Sequence, residues 1–175
     1  MSKTVDDRAT PLGDTLSVAR LVRQPRLARV YTHLHDAGPV TVAETTAALE
    51  LPERTVYDDV ETLCEAGFAS GDGSRPERYE AEPIDLVVGS RDEQQTVDAT
   101  LVAAVARSAT DDDLATFRDR HGVDGLATAL DHTREYVAGE TNHRLVARAM
   151  DVSPLEASIV LQALEGLLSP AVSTE

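Results

Sequence analysis

Prolines and glycines divide residues 25–82 into short segments, and the order of these segments constrains the fold more than any other feature. Residues 25–38 carry apolar side chains at helical spacing, begin with a proline and end with Gly-Pro. Residues 39–50 predict a short extended piece and a helix, and residues 52–67 predict a helix that a proline opens and a glycine ends. Residues 68–81 alternate around a glycine-rich turn, which predicts a β-hairpin. The order helix, short strand, helix, helix, hairpin is typical of a winged helix-turn-helix domain.

The segments on either side of this order suggest the rest of the organisation. Residues 1–13 are polar and show no periodicity, which predicts a flexible tail, and Asp14 or Thr15 is placed to cap a short helix. The chain from residue 92 to residue 168 shows helical patterns, broken around residues 108–111, 121–122 and 139–141. The predicted fold class is therefore mostly α with a small β-hairpin wing: a winged helix-turn-helix domain over residues 14–86, followed by an all-α helical domain over residues 91–169.

The sequence RTVYDDVETLCEAGF, followed by a glycine-rich hairpin, resembles the recognition helix and wing of winged helix-turn-helix regulators of the ArsR, MarR and TrmB type, which are common in archaea. The resemblance covers residues 14–82. It implies that four residues of the second helix face DNA and that two arginines of the wing touch the minor groove or the backbone. These residues are Arg54, Thr55, Tyr57 and Asp58 on the helix, and Arg75 and Arg78 on the wing.

Helical geometry agrees in part with this assignment. At about 100° per residue, Arg54 and Asp58 point away from the apolar face formed by Val56, Val60 and Leu63. Arg54 can approach guanine or a phosphate, and Asp58 can accept a hydrogen bond from cytosine. The alternative is that these two residues form an i,i+4 surface pair on a solvated helix. The two wing arginines have a similar alternative, which is to balance neighbouring glutamates.

Four arginines recur every three residues before residue 30, in a chain that is otherwise acidic. Residues 1–35 carry six basic and three acidic residues. Such a segment is suited to receive phosphates beside a recognition helix, which sets register without reading sequence. The alternative is that the arginines pack on a dimer partner. The four residues are Arg20, Arg23, Arg26 and Arg29.

We interpret the overall charge as an adaptation to a salty solvent and not as a sign of which partner the chain binds. Acidic residues outnumber basic ones 31 to 16, and Lys3 is the only lysine. This balance resembles proteins of halophilic archaea, because a surface dense in carboxylates stays hydrated and self-repelling in molar salt. The alternative is an acidic partner-binding protein from an ordinary cell.

Metal, cofactor and membrane functions have little support in the sequence. Cys64 is the single cysteine and falls on an apolar helix face, and His33 and His35 are spaced poorly for chelation. We expect no metal, no cofactor and no enzymatic activity. The longest apolar run, residues 101–106, is far shorter than the ~18 residues that a membrane span needs, so we expect a cytoplasmic protein without membrane contact.

Residues 141–168 can be aligned with residues 40–67 without a gap, at a constant shift of 101 positions. Val152 then falls on Leu51, and apolar positions of the two second helices coincide. This predicts a second helix-turn-helix-like unit, although two amphipathic helices joined by a tight turn could match by chance. The second helix exposes no basic residue and no hairpin follows it, so we do not expect it to contact DNA.

These features favour a transcription regulator that binds double-stranded DNA as a homodimer. The second half would pair subunits or receive a signal through one of two apolar stripes. The first consists of Val97, Leu101, Val105 and Ser108, and the second of Leu155, Ile159 and either Leu167 or Leu168. Alternatively, both stripes bury against each other within one chain. A different class of function is an interaction module that docks onto the transcription or chromosome machinery, which acidity at Asp58, Asp59 and Glu61 favours.

Overall fold

The computed structural model describes residues 11–89 and 94–168, which form eight α-helices and five β-strands. The fold class is the predicted one, mostly helical with a small β component. In chain order the elements are α1 (Pro11–Arg23), α2 (Pro25–Ala37), β1 (Val40–Thr41), α3 (Val42–Leu49), α4 (Glu53–Glu65), β2 (Ala69–Gly71), β3 (Arg78–Ala81), β4 (Asp85–Gly89), β5 (Gln94–Asp98), α5 (Ala99–Arg107), α6 (Asp112–Val137), α7 (His143–Met150) and α8 (Pro154–Leu168).

The elements from α2 to β3 form the predicted winged helix-turn-helix. Strands β1, β3 and β2 make an antiparallel sheet in that order, with Tyr79 of β3 opposite Val40 on one side and Gly71 on the other. Helix α3 begins with a capping box: the Thr41 hydroxyl accepts from the Glu44 amide at 3.1 Å, and Glu44 accepts from the Thr41 amide at 2.7 Å. The β-hairpin predicted from the glycine-rich turn is confirmed.

The structure differs from the prediction at the amino terminus and between the two halves. Helix α1 begins at Pro11, earlier than Asp14 or Thr15, and residues 1–10 of the predicted tail lie outside the described residues. The prediction of helix immediately after residue 92 is wrong for residues 94–98, which pair with β4 as an antiparallel hairpin. The reason is a two-residue period: Val97 of β5 and Leu86 and Val88 of β4 turn inward and their neighbours outward.

The main cluster of buried apolar residues extends from α1 to α8, and a smaller one between α7 and α8 consists of Val146, Ala147, Ala157 and Leu161. Helix α5 packs along α2, so the apolar stripe at Val97, Leu101 and Val105 is buried inside the chain, and the prediction that it pairs subunits is wrong. The alternative that both stripes bury against each other is also wrong, because Leu155 of the second stripe is 71% exposed. Tyr31 of α2 is also fully buried, and its hydroxyl donates to the Glu82 carbonyl at 2.9 Å. The division into two domains therefore stays a prediction, because the core crosses the expected boundary.

The second helix-turn-helix-like unit is confirmed in its helix bounds and its turn. Helices α7 and α8 begin 101 positions after α3 and α4, as the alignment requires. The turns also agree: Glu50 has φ 54° and ψ 38°, and Asp151 has φ 54° and ψ 44°. These left-handed conformations are uncommon for residues other than glycine, so their recurrence at aligned positions argues against a chance match. Within residues 11–89 and 94–168, no helix is both long and apolar enough to cross a membrane.

Candidate nucleic-acid interface

Helix α4 is held by its apolar face and presents the opposite face to solvent. Val56, Val60 and Leu63 are buried against the neighbouring helices, and Gly67, at φ 78°, ends the helical segment with a left-handed conformation that favours glycine. On the outer face the Arg54 side chain is 84% exposed. The fold therefore fixes α4 at one angle and leaves its outer face available for a groove.

Arg54 and Asp58 form the surface pair that helical spacing allows. The Arg54 Nε atom lies 3.2 Å from Asp58 Oδ1. An exposed i,i+4 pair contributes only about 0.3–0.5 kcal/mol, so the guanidinium can exchange Asp58 for another acceptor at little cost. The pair is thus compatible with either a DNA contact or a solvated helix.

Thr55 and Tyr57 occupy the two flanks of this face. Thr55 is half-buried, whereas Tyr57 is exposed over about half of its surface, at 49%. Tyr57 borders a hollow of about 300 Å³ between α4 and the wing, which Tyr79 and Glu77 also line. The four helix residues predicted to face DNA are therefore on the surface or at its edge, next to the wing.

The turn of the wing is organised by Asp72. Its carboxylate accepts from the Ser74 hydroxyl at 2.6 Å, the Ser74 amide at 2.9 Å and the Arg78 amide at 3.1 Å. The Ser74 hydroxyl, followed by the two amides, lowers the pKa of Asp72 to about 2. Arg75 lies exposed in the same turn. The ionised carboxylate thus shapes the segment that carries Arg75.

Arg78 lies at the junction of the wing and α3. Its Nη1 atom donates to the Pro39 carbonyl at 3.0 Å and lies 3.6 Å from Glu44 Oε2. The hydrogen bonds that Glu44 accepts from Thr41 lower the pKa of Glu44, and Arg78 adds to that shift. Arg78 is thus partly neutralised and positioned by its neighbours, whereas Arg75 remains at the tip.

The four amino-terminal arginines do not share one face. Arg26 makes two hydrogen bonds to the buried carboxylate of Asp59, at 2.8 and 2.9 Å, and this pairing raises the pKa of Arg26. Arg29 donates to the Leu49 carbonyl at 3.1 Å. Arg20 borders a hollow at the end of α4, while Arg23 borders a different cavity beside the β4–β5 hairpin. Arg26 and Arg29 therefore hold α2 to α4 and α3, which the sequence analysis did not anticipate.

The charge of α4 also differs from the sequence-based estimate. Asp59 is one of the three acidic residues that favoured an interaction module in the sequence analysis. Its side chain is only 6% exposed and is paired with Arg26. The acidic residues that do reach solvent are Glu53, Asp58, Glu61 and Glu65. The outer face is consequently less acidic than the sequence alone suggests.

Sequence reasoning missed Glu44 and Asp72, although both had local signals. Thr41 and Glu44 have the three-residue spacing of a capping box, and Asp72 precedes a Gly-Ser pair in the turn. Among the described residues, no group of three or more His, Cys, Asp or Glu side chains could hold a metal ion. Cys64 is half-buried, and burial raises the pKa of its thiol.

Comparison with known families supports the geometry of the first half. Residues 27–85 match the family model of TrmB, described as a sugar-specific transcriptional regulator. Over these residues the chain is similar to that family and has the winged-helix arrangement described above. The match begins in α2 and ends in β4, so it contains both α4 and the wing. Residues 108–172 match a different model, a family of unknown function called DUF7437. No curated protein and no solved structure matches the chain.

Proposed function

We propose that the protein is a transcription regulator that binds double-stranded DNA sequence-specifically as a homodimer. The observation that carries the proposal is the exposed outer face of α4, held at a fixed angle beside an ordered wing within a TrmB-like domain. The match ends at residue 85, so the proposal concerns DNA and not the sugar that the family description names. No catalytic role is proposed.

In this proposal α4 enters the major groove and the wing follows the adjacent backbone. Arg54 exchanges Asp58 for guanine or a phosphate, since a bidentate contact from arginine is the commonest specific contact to guanine. Thr55 and Tyr57 contact the groove wall. Arg75 and Arg78 contact the backbone or minor groove beside it. Arg20 and Arg23 are exposed and are proposed to meet flanking phosphates, while Arg26 and Arg29 act on the fold through their partners.

The proposed setting is the cytoplasm of a halophile. The net charge of −15 would hold DNA off at low salt by repulsion, whereas molar salt screens charges beyond about 3 Å. Releasing condensed cations also yields little free energy in molar salt. We therefore expect binding to depend on contacts made within the groove and to survive in concentrated KCl.

The proposal is tested by selecting bound duplexes from a randomised pool and measuring affinity for the enriched sequence. We expect the wild-type protein to enrich a defined motif and Arg54→Ala to bind it at least about tenfold more weakly, since a good base contact contributes about 1–3 kcal/mol. Raising KCl from low to molar concentrations should not weaken wild-type binding, because the added salt screens the repulsion between DNA and the acidic chain.

Arg107→Ala is the matched control. Arg107 also forms an exposed i,i+4 ion pair, with Asp111, and lies outside the interface on α5. It should therefore bind the motif like the wild type. Equal affinity of the Arg54→Ala and Arg107→Ala variants would contradict the assignment of α4, and a pool without any enriched motif would contradict sequence-specific DNA binding.

A second candidate is a winged-helix module that docks α4 onto a basic protein of the transcription machinery. The exposed carboxylates of Glu53, Glu61 and Glu65 favour this candidate. Under it, reversing the charge of Glu61 would abolish partner binding, whereas a DNA reader would gain affinity from the lost repulsion. The sign of the Glu61→Arg effect on DNA affinity thus separates the two functions.

A further inference from the structure

The carboxyl-terminal part of the chain repeats the three-helix core of the winged helix, not only its turn. Helix α6 is interrupted at Gly122, where φ is 71°, and the helix that follows it packs with α7 and α8 as α2 packs with α3 and α4. We call residues 25–81 the first unit and residues 123–168 the second unit. At a shift of 99 positions, every buried residue of α2 falls on a buried residue of α6: Leu27, Ala28, Val30, Tyr31 and Leu34 on Leu126, Ala127, Ala129, Leu130 and Thr133.

The inner face of α8 is equivalent to that of α4, but the outer face is different. Leu155 and Ile159 stand at the positions of Arg54 and Asp58, where the first unit carries an ion pair. Leu155 is 71% exposed, the highest fraction among the large apolar side chains of the described residues. An exposed leucine at the position of a DNA-reading residue indicates a surface that is covered by an apolar partner.

The charge of this surface distinguishes it from the rest of the chain. Residues 141–168 carry two arginines, Arg144 and Arg148, and three acidic residues, Asp151, Glu156 and Glu165. Their net charge is −1, so nearly the whole excess of −15 lies elsewhere in the sequence. Two copies of an acidic chain repel each other least where each contributes little net charge. Such a region is therefore where a second copy can approach.

We propose that the outer face of α7 and α8, with Leu145, Leu155 and Ile159, is the surface through which two copies of the chain pair. A two-fold dimer brings the same patch of both copies together, which requires a self-complementary surface. An apolar patch that is nearly neutral and carries residues of both signs meets that requirement. The inference deepens the proposed function and rests on it in one respect, the expectation that two winged helices act together.

The groove beside Leu155 supplies the complementary charges. A hollow of about 240 Å³ separates α8 from the first half of α6, and Leu155, Ile159 and Phe117 provide its apolar lining. Asp113 and Arg120 border the same hollow, seven residues apart on one helix, which corresponds to about 10 Å. The Arg120 Nη1 atom lies 3.5 Å from Glu156 Oε1 within the chain, but the Arg120 side chain is 62% exposed. In our proposal a second copy laid antiparallel about a two-fold axis brings its Asp113 towards this exposed guanidinium.

The test is the oligomeric state of the full chain, measured by sedimentation equilibrium in low and molar KCl. We expect the wild type to have twice the monomer mass of 18.8 kDa. Leu155→Glu places two carboxylates against each other at the axis and should raise the dimer dissociation constant at least about tenfold. Leu145→Glu tests the part of the proposed surface that lies on α7, where Leu145 is 53% exposed, and circular dichroism checks that both variants remain folded.

Val87→Glu is the matched control, because Val87 is another exposed apolar residue, 62% accessible, on β4 and outside the second unit. It should dimerise like the wild type. A dimer undisturbed by both leucine variants, or a wild type that is monomeric at all concentrations, would overturn the inference. Neither result tests DNA recognition by α4, which the selection experiment measures separately. A Leu155-dependent dimer that enriches no DNA motif would support this dimer surface and contradict the proposed function.

Discussion

The two helix-turn-helix units of this chain share their buried positions and their turn, and differ in what they present to solvent. Val60 and Leu161 are buried at equivalent positions of α4 and α8, and Glu50 and Asp151 adopt the same left-handed conformation. On the solvent side, the first unit carries the ion pair of Arg54 and Asp58 and a wing. The second unit carries Leu155 and, within the described residues, no hairpin. The inner residues therefore determine this arrangement of helices, and the outer residues give each unit a different surface.

The largest effect is expected from the core leucines that the two units share. Leu63 and Leu164 are fully buried at equivalent positions of α4 and α8. Truncation of either to alanine should lower the free energy of unfolding by about 2–5 kcal/mol, because it removes apolar contacts and leaves a cavity. Since one continuous cluster contains both residues, chemical denaturation should show a single transition that both variants shift.

Val87→Ala is the control for these two variants. Val87 is exposed, so its truncation should change the free energy of unfolding by less than about 0.5 kcal/mol. Two separate transitions, each shifted by only one of the leucine variants, would show that the halves unfold independently. That result would support the division into two domains that the sequence predicts.

A smaller effect on stability is expected at a buried position that is charged in the first unit and apolar in the second. Asp59 of α4 is paired with Arg26, and the aligned residue of α8, Val160, is buried among apolar residues. Asp59→Ala should lower the free energy of unfolding by about 1.5–3 kcal/mol, because it removes two hydrogen bonds to a charged group. Asp59→Val should cost less than Asp59→Ala, since it supplies the apolar contact that the second unit uses.

The neighbouring residue Asp58 provides the control. Its ion pair with Arg54 is exposed, so Asp58→Ala should change stability by at most about 0.5 kcal/mol. Thermal unfolding followed by circular dichroism compares the three variants directly. Equal destabilisation by the Asp58 and Asp59 variants would mean that the Arg26 pairing does not stabilise the contact between α2 and α4.

The helices were largely predictable because local rules determine them. Proline and glycine mark the ends of α2 and α4, and the breaks expected around residues 108–111, 121–122 and 139–141 all occur. The β4–β5 hairpin was missed because its period of two is short, and because its pairing joins residues on either side of a predicted boundary. Local periodicity cannot reveal such a partner.

The candidate site was predictable only in part, for the same reason. The outward direction of Arg54 follows from helical geometry, and the structure agrees. The role of Arg26 does not, because its partner Asp59 is 33 residues away in the sequence. A count of charges therefore assigned Arg26 to a basic surface and Asp59 to an acidic one, although the two neutralise each other between α2 and α4.

The smallest effect concerns pH, and it also separates the two units. The first unit uses titratable groups at its ends: Asp72 in the wing and Glu44 at the start of α3 both have lowered pKa values. The second unit caps α7 with Asn142, whose side chain accepts from the Arg144 and Leu145 amides and does not titrate. Acid should therefore loosen the first unit and leave the α7 cap intact.

The sign and the range follow from the pKa of Asp72, which is lowered from 3.8 to about 2. A group with a lowered pKa contributes stability that is fully present above its ordinary pKa and is lost as the pH falls from about 3.8 to about 2. We expect the Ser74 and Arg78 amide signals in NMR spectra to be nearly unchanged at pH 4 and to move only below it, while those of Arg144 and Leu145 stay constant. In Asp72→Asn the Ser74 signal should lose this titration. A titration midpoint of the Ser74 signal at or above pH 3.8 would show that the Asp72 carboxylate does not hold the turn. Movement of the Leu145 signal in the same pH range would contradict the difference between the wing turn and the α7 cap.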